Sequence, residues 1–464
     1  MIDLLSERVG GHVIDCNDEF FAPASNLIAN PDPVWKEGEY TDRGKWMDGW
    51  ETRRRRDVGH DWCVLRLGIP GRIARVAVDT SHFTGNYPEH FSLEASGDGE
   101  EWIEIIPRTQ LSGDSVATFE VTDPHRVELV RLNIYPDGGV ARLRVEGEPI
   151  PAVALVCPDG EVDLASAAVG GQVVDASDLH YSHPANCLRP TASAGMWDGW
   201  ETRRRRDDGH DWVTVRLGMS GVVDHLVVDT THFKGNAPGW VSAEASEDGS
   251  VWSPIVERVP VAADTENVVT PEHPAPASFL RLSIHPDGGV ARLRVMGRPR
   301  RESAGELRIA YLNALFDGVA RHFFHTACAS SRWVEQMLDQ RPFPSPSAVF
   351  DAAEGAFEHL EEDDWFEAFA GHPRIGETGD AVASREQFGA RGHEAELAEV
   401  NAEYESRFGF IYIIYASDKT GEEMLEIARS RLENDRVTEI GNAASAQREI
   451  TATRLRRMLC QEDS

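Results

Sequence analysis

Four consecutive arginines stand between two tryptophans in a string that occurs twice, as DGWETRRRRDVGHDW at Asp48–Trp62 and DGWETRRRRDDGHDW at Asp198–Trp212. A guanidinium presents a rigid fork of donors that matches a carboxylate, so a turn carrying Arg53, Arg54, Arg55 and Arg56, or Arg203, Arg204, Arg205 and Arg206, is suited to clamp a small anionic substrate. The alternative is a solvated turn whose arginines pair with Glu51, Asp57 and Asp61 or stack on Trp50 and Trp62. His60, His82, His210 and His232 lie close in sequence to Asp61, Asp79, Asp211 and Asp229. That composition suits a general base or a divalent-metal site, although no HxH or HExxH spacing supports the metal. A third duplicated block, PDGGVARLRV, reads as a Gly-Gly turn entering a strand, with Arg142 and Arg144 on one face.

In the last third the chemistry-bearing residue is His372, in DDWFEAFAGHPRIGE. Gly371 is placed to end a helix with a left-handed cap, and Pro373 biases His372 toward an extended backbone. The imidazole then sits at a stiff corner, either as a capping or core histidine or as a proton donor that titrates near neutral pH. Glu386 and Gln387 follow near the start of a helical pattern, and FGFIYIIYA at 408–416 has the propensity of a buried strand, with a buried helix as the alternative.

Three blocks of the first two thirds (DGWETRRRR, DTxHFxGN and PDGGVARLRV) recur at one offset of 150 residues, which makes this region an internal repeat. An earlier block, GGHVIDCNDEFF against GGQVVDASDLHY, recurs at an offset of 160, so the first copy carries about ten extra residues, assigned to a surface loop at PDPVWKEGEY. Short Val-rich or alternating segments separated by Gly, Pro, Asp and Asn predict β-structure in each copy. After Arg301, apolar residues at helical spacing predict an all-α region, beginning with ELRIAYLNALFDGVARHF, beyond a polar linker GRPRRESAG. The fold expected is multidomain: two tandem all-β jelly-roll sandwich repeats, 1–150 and 151–300, followed by an all-α domain over 305–464.

The length of 464 residues fits three such domains, and a net charge of −32 argues against nucleic acid or an anionic membrane as partner. Only four of the basic residues are lysine, a skew that suggests a G+C-rich or acid-surfaced proteome. Six cysteines without a CxxC pair fit a reducing compartment, and the start of the chain lacks the pattern of an export signal; a cytoplasmic location is therefore expected.

The three blocks, in order and in two copies, resemble the allantoicase family over nearly all of residues 1–300. The resemblance implies hydrolysis of allantoate to ureidoglycolate and urea. Allantoate is a small carboxylate bearing two ureido groups, and the polar contacts expected for it are Glu51 and His82 with their repeat mates Glu201 and His232, beside the arginines. The metal requirement and the identity of the working copy stay open. The series HPRIGE, SREQ, NxxYxxRFGF, RLENDxxxE and IxxxRL resembles 2-oxo-4-hydroxy-4-carboxy-5-ureidoimidazoline (OHCU) decarboxylase over about 305–460.

That second resemblance implies His372 as catalytic histidine, Glu386 as its acidic partner and Arg454 as a helix-borne cation. It places Pro373, Gln387 and the backbone of Tyr412, Ile413, Ile414, Tyr415 and Ala416 in the substrate pocket. Ala383 stands where many members have serine, with Ser384 beside it. The substrate's ring imine can accept the electron pair released with CO2, so no cofactor is expected for this step. The chain thus reads as a bifunctional enzyme of purine degradation acting on small ureido acids, with a homo-oligomer as the expected assembly. The rival reading makes the repeats non-catalytic ligand-binding sandwiches that tether the helical enzyme.

Overall fold

The computed structural model describes residues 1–151, 160–372, 393–416 and 419–459, and these fall into two compact units, Met1–Phe316 and Asp317–Ser464. In the first unit each repeat is built around one unusually long strand. In the first copy the strands run β1 (Ile2–Asp3), β2 (His12–Cys16), β3 (Tyr40–Thr41), β4 (Gly44–Lys45), β5 (Trp50–Glu51), β6 (Asp61–Asp79), β7 (His90–Ser96), β8 (Ile103–Gln110), β9 (Val116–Glu120), β10 (Arg126–Tyr135), β11 (Gly139–Val140) and β12 (Arg142–Pro149). The sequence segments DWCVLRLG and RIARVAVDT, separate by pattern, are one continuous strand, β6.

Along β6 buried and partly exposed residues alternate, as a strand with one face on a core requires. Its first part, near Asp61–Arg66, pairs with β2 and β10; its last part, near Arg75–Asp79, pairs with β12 and β9. One strand therefore serves both layers of the sandwich, its pairing with β10 interrupted between Arg66 and Gly71. A Cβ on Gly71 would lie 2.2 Å from the Glu148 carbonyl oxygen, so the strand admits no side chain there. The core between the layers is Leu65, Leu67, Val76, Leu93, Leu132 and Leu143 with their neighbours, all buried.

The second copy repeats this order in β13 (Val162–Asp163), β14 (Gln172–Ala176), β15 (Trp200–Glu201), β16 (Asp211–Asp229), β17 (Trp240–Ser246), β18 (Ser253–Pro260), β19 (Glu266–Val269), β20 (Ala275–His285), β21 (Gly289–Val290) and β22 (Arg292–Pro299). Its main path, β13-β22-β16-β20-β17-β18, matches β1-β12-β6-β10-β7-β8 of the first. The small hairpin β3–β4 has no counterpart among the described residues of the second copy, and the residues before it, 31–39, form most of the exposed loop that the extra length predicts.

The stretch GRPRRESAG is not an open linker. Gly297–Pro299 ends β22, and Arg301 starts helix α1 (Arg301–Ala314), which belongs to the first unit. The predicted helix from Glu306 onward is broken at Leu315, whose ψ of 141° is extended, and resumes as α2 (Asp317–Ala327). The second unit adds α3 (Ser331–Asp339), α4 (Pro346–Phe357), α5 (Glu362–Ala370), α6 (Glu394–Phe408), α7 (Gly421–Arg431) and α8 (Arg436–Met458). Gly371 caps α5 in a right-handed conformation (φ −73°), not the left-handed one expected from the sequence.

FGFIYIIYA also departs from expectation, being neither strand nor helix. After α6 closes on left-handed Gly409, the chain runs extended and half-buried to Ala416 without a ladder partner among the described residues. Side chains supply the bonds that a sheet would otherwise give. Asn401 Oδ1 accepts from Tyr412 N at 2.7 Å, and Arg431 Nη1 donates to the Ile413 carbonyl at 2.8 Å. Among the described residues no helix is long and apolar enough to cross a membrane.

Candidate functional sites

In the first sandwich the arginine string lies on a turn held from three sides. The short ribbon β5–β11 pairs Trp50 with Val140 and Glu51 with Gly139, bringing the arginine block against the Gly-Gly turn. Gly138, at φ +144°, and Gly139 are required there: a Cβ on Gly139 would lie 2.0 Å from the Phe83 ring. Thr52 is buried, and its hydroxyl accepts from Gly138 N at 3.1 Å. Asp137 Oδ2 accepts from Arg55 N at 2.9 Å.

The arginines then divide by role. Arg53 Nε donates to Asp18 Oδ2 at 2.6 Å, and Arg55 Nη1 to buried Asp61 Oδ1 at 2.5 Å, with Asp57 beside it. These two brace the turn, Arg55 through the Asp57 and Asp61 that the solvated-turn alternative names and Arg53 through Asp18, which it does not. Arg54 and Arg56 are exposed, make no hydrogen bond, ion pair or ring contact with a described residue, and line a cavity of about 480 Å³ with Glu51, Asn86, Tyr87 and Asp137. Inside it Glu51 Oε1 accepts from Asn86 Nδ2 at 2.7 Å. Burial pushes the Glu51 carboxyl above its ordinary pKa, with the Asn86 bond opposing in part.

The second copy reproduces this arrangement closely. Arg203 pairs with Asp178 at 2.7 Å, Arg205 with Asp211 at 2.7 Å, Asp287 accepts from Arg205 N at 2.8 Å, and Glu201 accepts from Asn236 at 2.7 Å. Arg204 and Arg206 are again exposed and without a partner among the described residues.

His82 and His232 stand elsewhere in their loops. Both adopt positive φ, and their Nε2 atoms meet the carbonyls of Pro33 (3.1 Å) and Ser193 (3.0 Å), so each ring ties down the segment that precedes the arginine string. Arg142 is buried and donates to Asp48 Oδ2 at 3.0 Å and to the Pro31 and Asp48 carbonyls, pinning the same segment. Asp61 and Asp211, set out with nearby histidines as metal candidates, receive arginine bonds instead, and no group of three or more His, Cys, Asp or Glu among the described residues is arranged to hold a metal ion. Asn86, Asn236, Asp137 and Asp287 were not singled out by the sequence, although each lies inside a duplicated block.

In the second unit, His372 follows α5 and meets one face of α8, where Gln447, Thr451 and Arg454 lie one and two turns apart. Gln447 is fully buried, and its Nε2 donates to Thr451 Oγ1 at 3.1 Å. That leaves Gln447 Oε1 to accept from His372 Nε2 at 2.8 Å, while Arg454 Nη2 approaches His372 Nδ1 at 3.4 Å. Both contacts suit a neutral imidazole with its proton on Nε2. Gln447 was not read from the sequence. Glu386, Pro373 and Gln387, with Ala383 and Ser384, lie outside the described residues.

Tyr412, Ile413, Ile414, Tyr415 and Ala416 form the extended segment, and Tyr415 OH lies 3.2 Å from Thr453 Oγ1 on α8. A buried cluster anchors this segment from below. Arg431 Nε donates to Glu439 Oε1 at 2.5 Å, Tyr404 OH donates to the same oxygen, and Asn434 donates to Oε2 at 2.8 Å. Burial alone would raise the Glu439 carboxyl, but these donors hold it below the ordinary range.

Comparison with known families gives these sites a context. A model of the allantoicase repeat matches residues 2–150 and again 162–300. The chain belongs to the allantoicase family. A probable allantoicase of Pseudomonas paraeruginosa is 44% identical over 319 residues, covering 64% of this chain and 96% of that protein. The crystal structure of allantoicase from Saccharomyces cerevisiae is 32% identical, with a TM-score of 0.55, covering 64% of this chain and 92% of that one. Beyond the allantoicase part, residues 313–456 match the OHCU decarboxylase family model. A crystal structure of OHCU decarboxylase in the presence of (S)-allantoin is 34% identical, covers 30% of this chain and 96% of that one, and has a TM-score of 0.27. The chain is therefore a bifunctional enzyme of allantoin metabolism that joins a hydrolase to a carboxy-lyase.

Proposed function

We propose that the first unit hydrolyses allantoate through Arg54, Arg56, Glu51 and Asn86, and that the helical unit decarboxylates OHCU through His372 and Arg454. The observation that carries the first half is the pair of unpartnered arginines facing Glu51 across one cavity. Arg54 and Arg56 hold the carboxylate of allantoate by charge-assisted hydrogen bonds. Asn86 offers an amide to a ureido oxygen and orients Glu51. Burial favours the protonated form of the Glu51 carboxyl, so Glu51 is the group that protonates the departing ureido nitrogen and recovers the proton from water as the hydroxyl adds to the central carbon. The products are ureidoglycolate and urea.

In the helical unit the loss of CO2 leaves an electron pair that passes into the ring imine of the substrate. The protein's task is to hold the anion and deliver a proton to one face of the ureido-bearing carbon. Arg454 holds the anionic group, and His372, held by Gln447 through Nε2, is the proton donor once Nδ1 has taken up a proton. Glu386 is assigned by family resemblance as the group that charges or orients His372. No cofactor is needed for this step, and the metal requirement of the hydrolase is part of what assay with and without chelator measures.

The full-length chain tests this reading directly. Supplied with allantoate it should release one urea per ureidoglycolate, and supplied with freshly generated OHCU it should yield (S)-allantoin and CO2. Absence of urea would restore the rival reading, in which the sandwiches only bind ligand.

A further inference from the structure

The two sandwiches repeat each other where folding does not demand it. Arg53, Arg55, Thr52 and Asp137 brace the turn, and retention of their mates Arg203, Arg205, Thr202 and Asp287 follows from the shared fold. Arg54, Arg56, Arg204 and Arg206 brace nothing: all four are exposed and make no hydrogen bond, ion pair or ring contact with a described residue. An exposed, unpaired charge contributes close to nothing to stability, so a fold alone leaves such positions free to drift. Both copies nevertheless carry arginine at both places, and both set beside them a glutamate that accepts from an asparagine at 2.7 Å.

We propose that the second sandwich holds its own hydrolytic site, built on Glu201, Arg204, Arg206 and Asn236, so that one chain cleaves its ureido-carboxylate substrate at two independent places. This rests on the reading of Glu51, Arg54 and Arg56 given above. The step is the same at each: the bond from the central carbon to one ureido nitrogen breaks, water supplies the hydroxyl to carbon, and the glutamate carries the water's proton to the departing nitrogen. The rims differ. Tyr87 lines the first site, and Ala237 stands at the matching position of the second. At the second site the sulfur of Met196 lies 3.8 Å from Asn236 Nδ2. The two sites therefore bind the same class of substrate with unequal affinity.

Urea release by full-length Glu51→Gln, Glu201→Gln and the double variant tests the proposal. Each single variant should keep measurable turnover with its own KM, and the double variant should fall on the order of 10²–10⁴-fold. If one single variant falls as far as the double, there is one site and the proposal is overturned while the reading of the glutamate stands. If the double variant keeps full activity, that reading fails and takes the proposal with it. Calorimetric titration of the double variant with allantoate guards against a folding artefact. Two equivalents per chain, reduced to one by adding Arg204→Ala and Arg206→Ala, support the proposal; one equivalent before that addition overturns it.

Discussion

The exposed arginines of the sandwiches and the buried Arg431 of the helical unit are placed in opposite ways. On the sandwiches, two arginines of each string are anchored to aspartates so that two others can stand unpaired beside a glutamate. In the helical unit the buried Arg431 is fully engaged by Glu439, Tyr404 and a backbone carbonyl, and its role is to fix the extended segment from Phe410 to Ala416. Under the proposed function the difference follows from the chemistry. A clamp for a soluble carboxylate needs charge that is not already neutralised, whereas stereospecific proton delivery needs a rigid wall.

The comparison breaks most visibly at His372. His372→Ala should lower (S)-allantoin formation on the order of 10²–10⁴-fold while urea release from allantoate stays at the wild-type rate; a parallel fall in both assays would show that the two chemistries are not separable. Next comes the wall. Glu439→Ala leaves Arg431 and Tyr404 buried without their acceptor and should cost about 3–5 kcal/mol, read as a lower midpoint for the helical transition in far-ultraviolet circular dichroism.

Replacing Arg54, Arg56, Arg204 and Arg206 together by Ala should leave the melting midpoint of the sandwiches in place and raise KM for allantoate. Each lost charge-assisted bond is worth about 1.5–3 kcal/mol, or roughly ten- to a hundredfold in KM. The smallest effect concerns Glu51. Burial raises its pKa in the fold, so the native state prefers the protonated form, and stability is lost as pH rises through that raised value. Glu51→Gln should therefore raise the thermal midpoint at neutral pH, with the gain vanishing below the ordinary carboxyl value of 4.5. A gain that persisted in acid would assign it to packing instead.

The duplicated strings carried the class of each fold and the place of each arginine turn, because strand alternation and repeat spacing are local signals. They did not divide the arginines. Whether Arg53 or Arg54 is the free one depends on Asp18, which reaches the turn from a distant stretch of the chain. Asn86 and Gln447 were missed for a related reason: each acquires its role from a partner supplied by another element, Glu51 in one case and His372 in the other. FGFIYIIYA has strand propensity, but its backbone is satisfied by Asn401 and Arg431 rather than by a neighbouring strand, and propensity does not encode a partner.

The nineteen-residue strand shared by both layers of the first sandwich has a further consequence. Peeling either layer away would strip hydrogen bonds from the same polypeptide segment, so a half-open sandwich has no route that spares the other half. Protected amides on Leu65 and on Val78 should accordingly exchange with solvent through one common opening event, and the arginine turn, moored to the first residue of that strand through Asp61, inherits its rigidity.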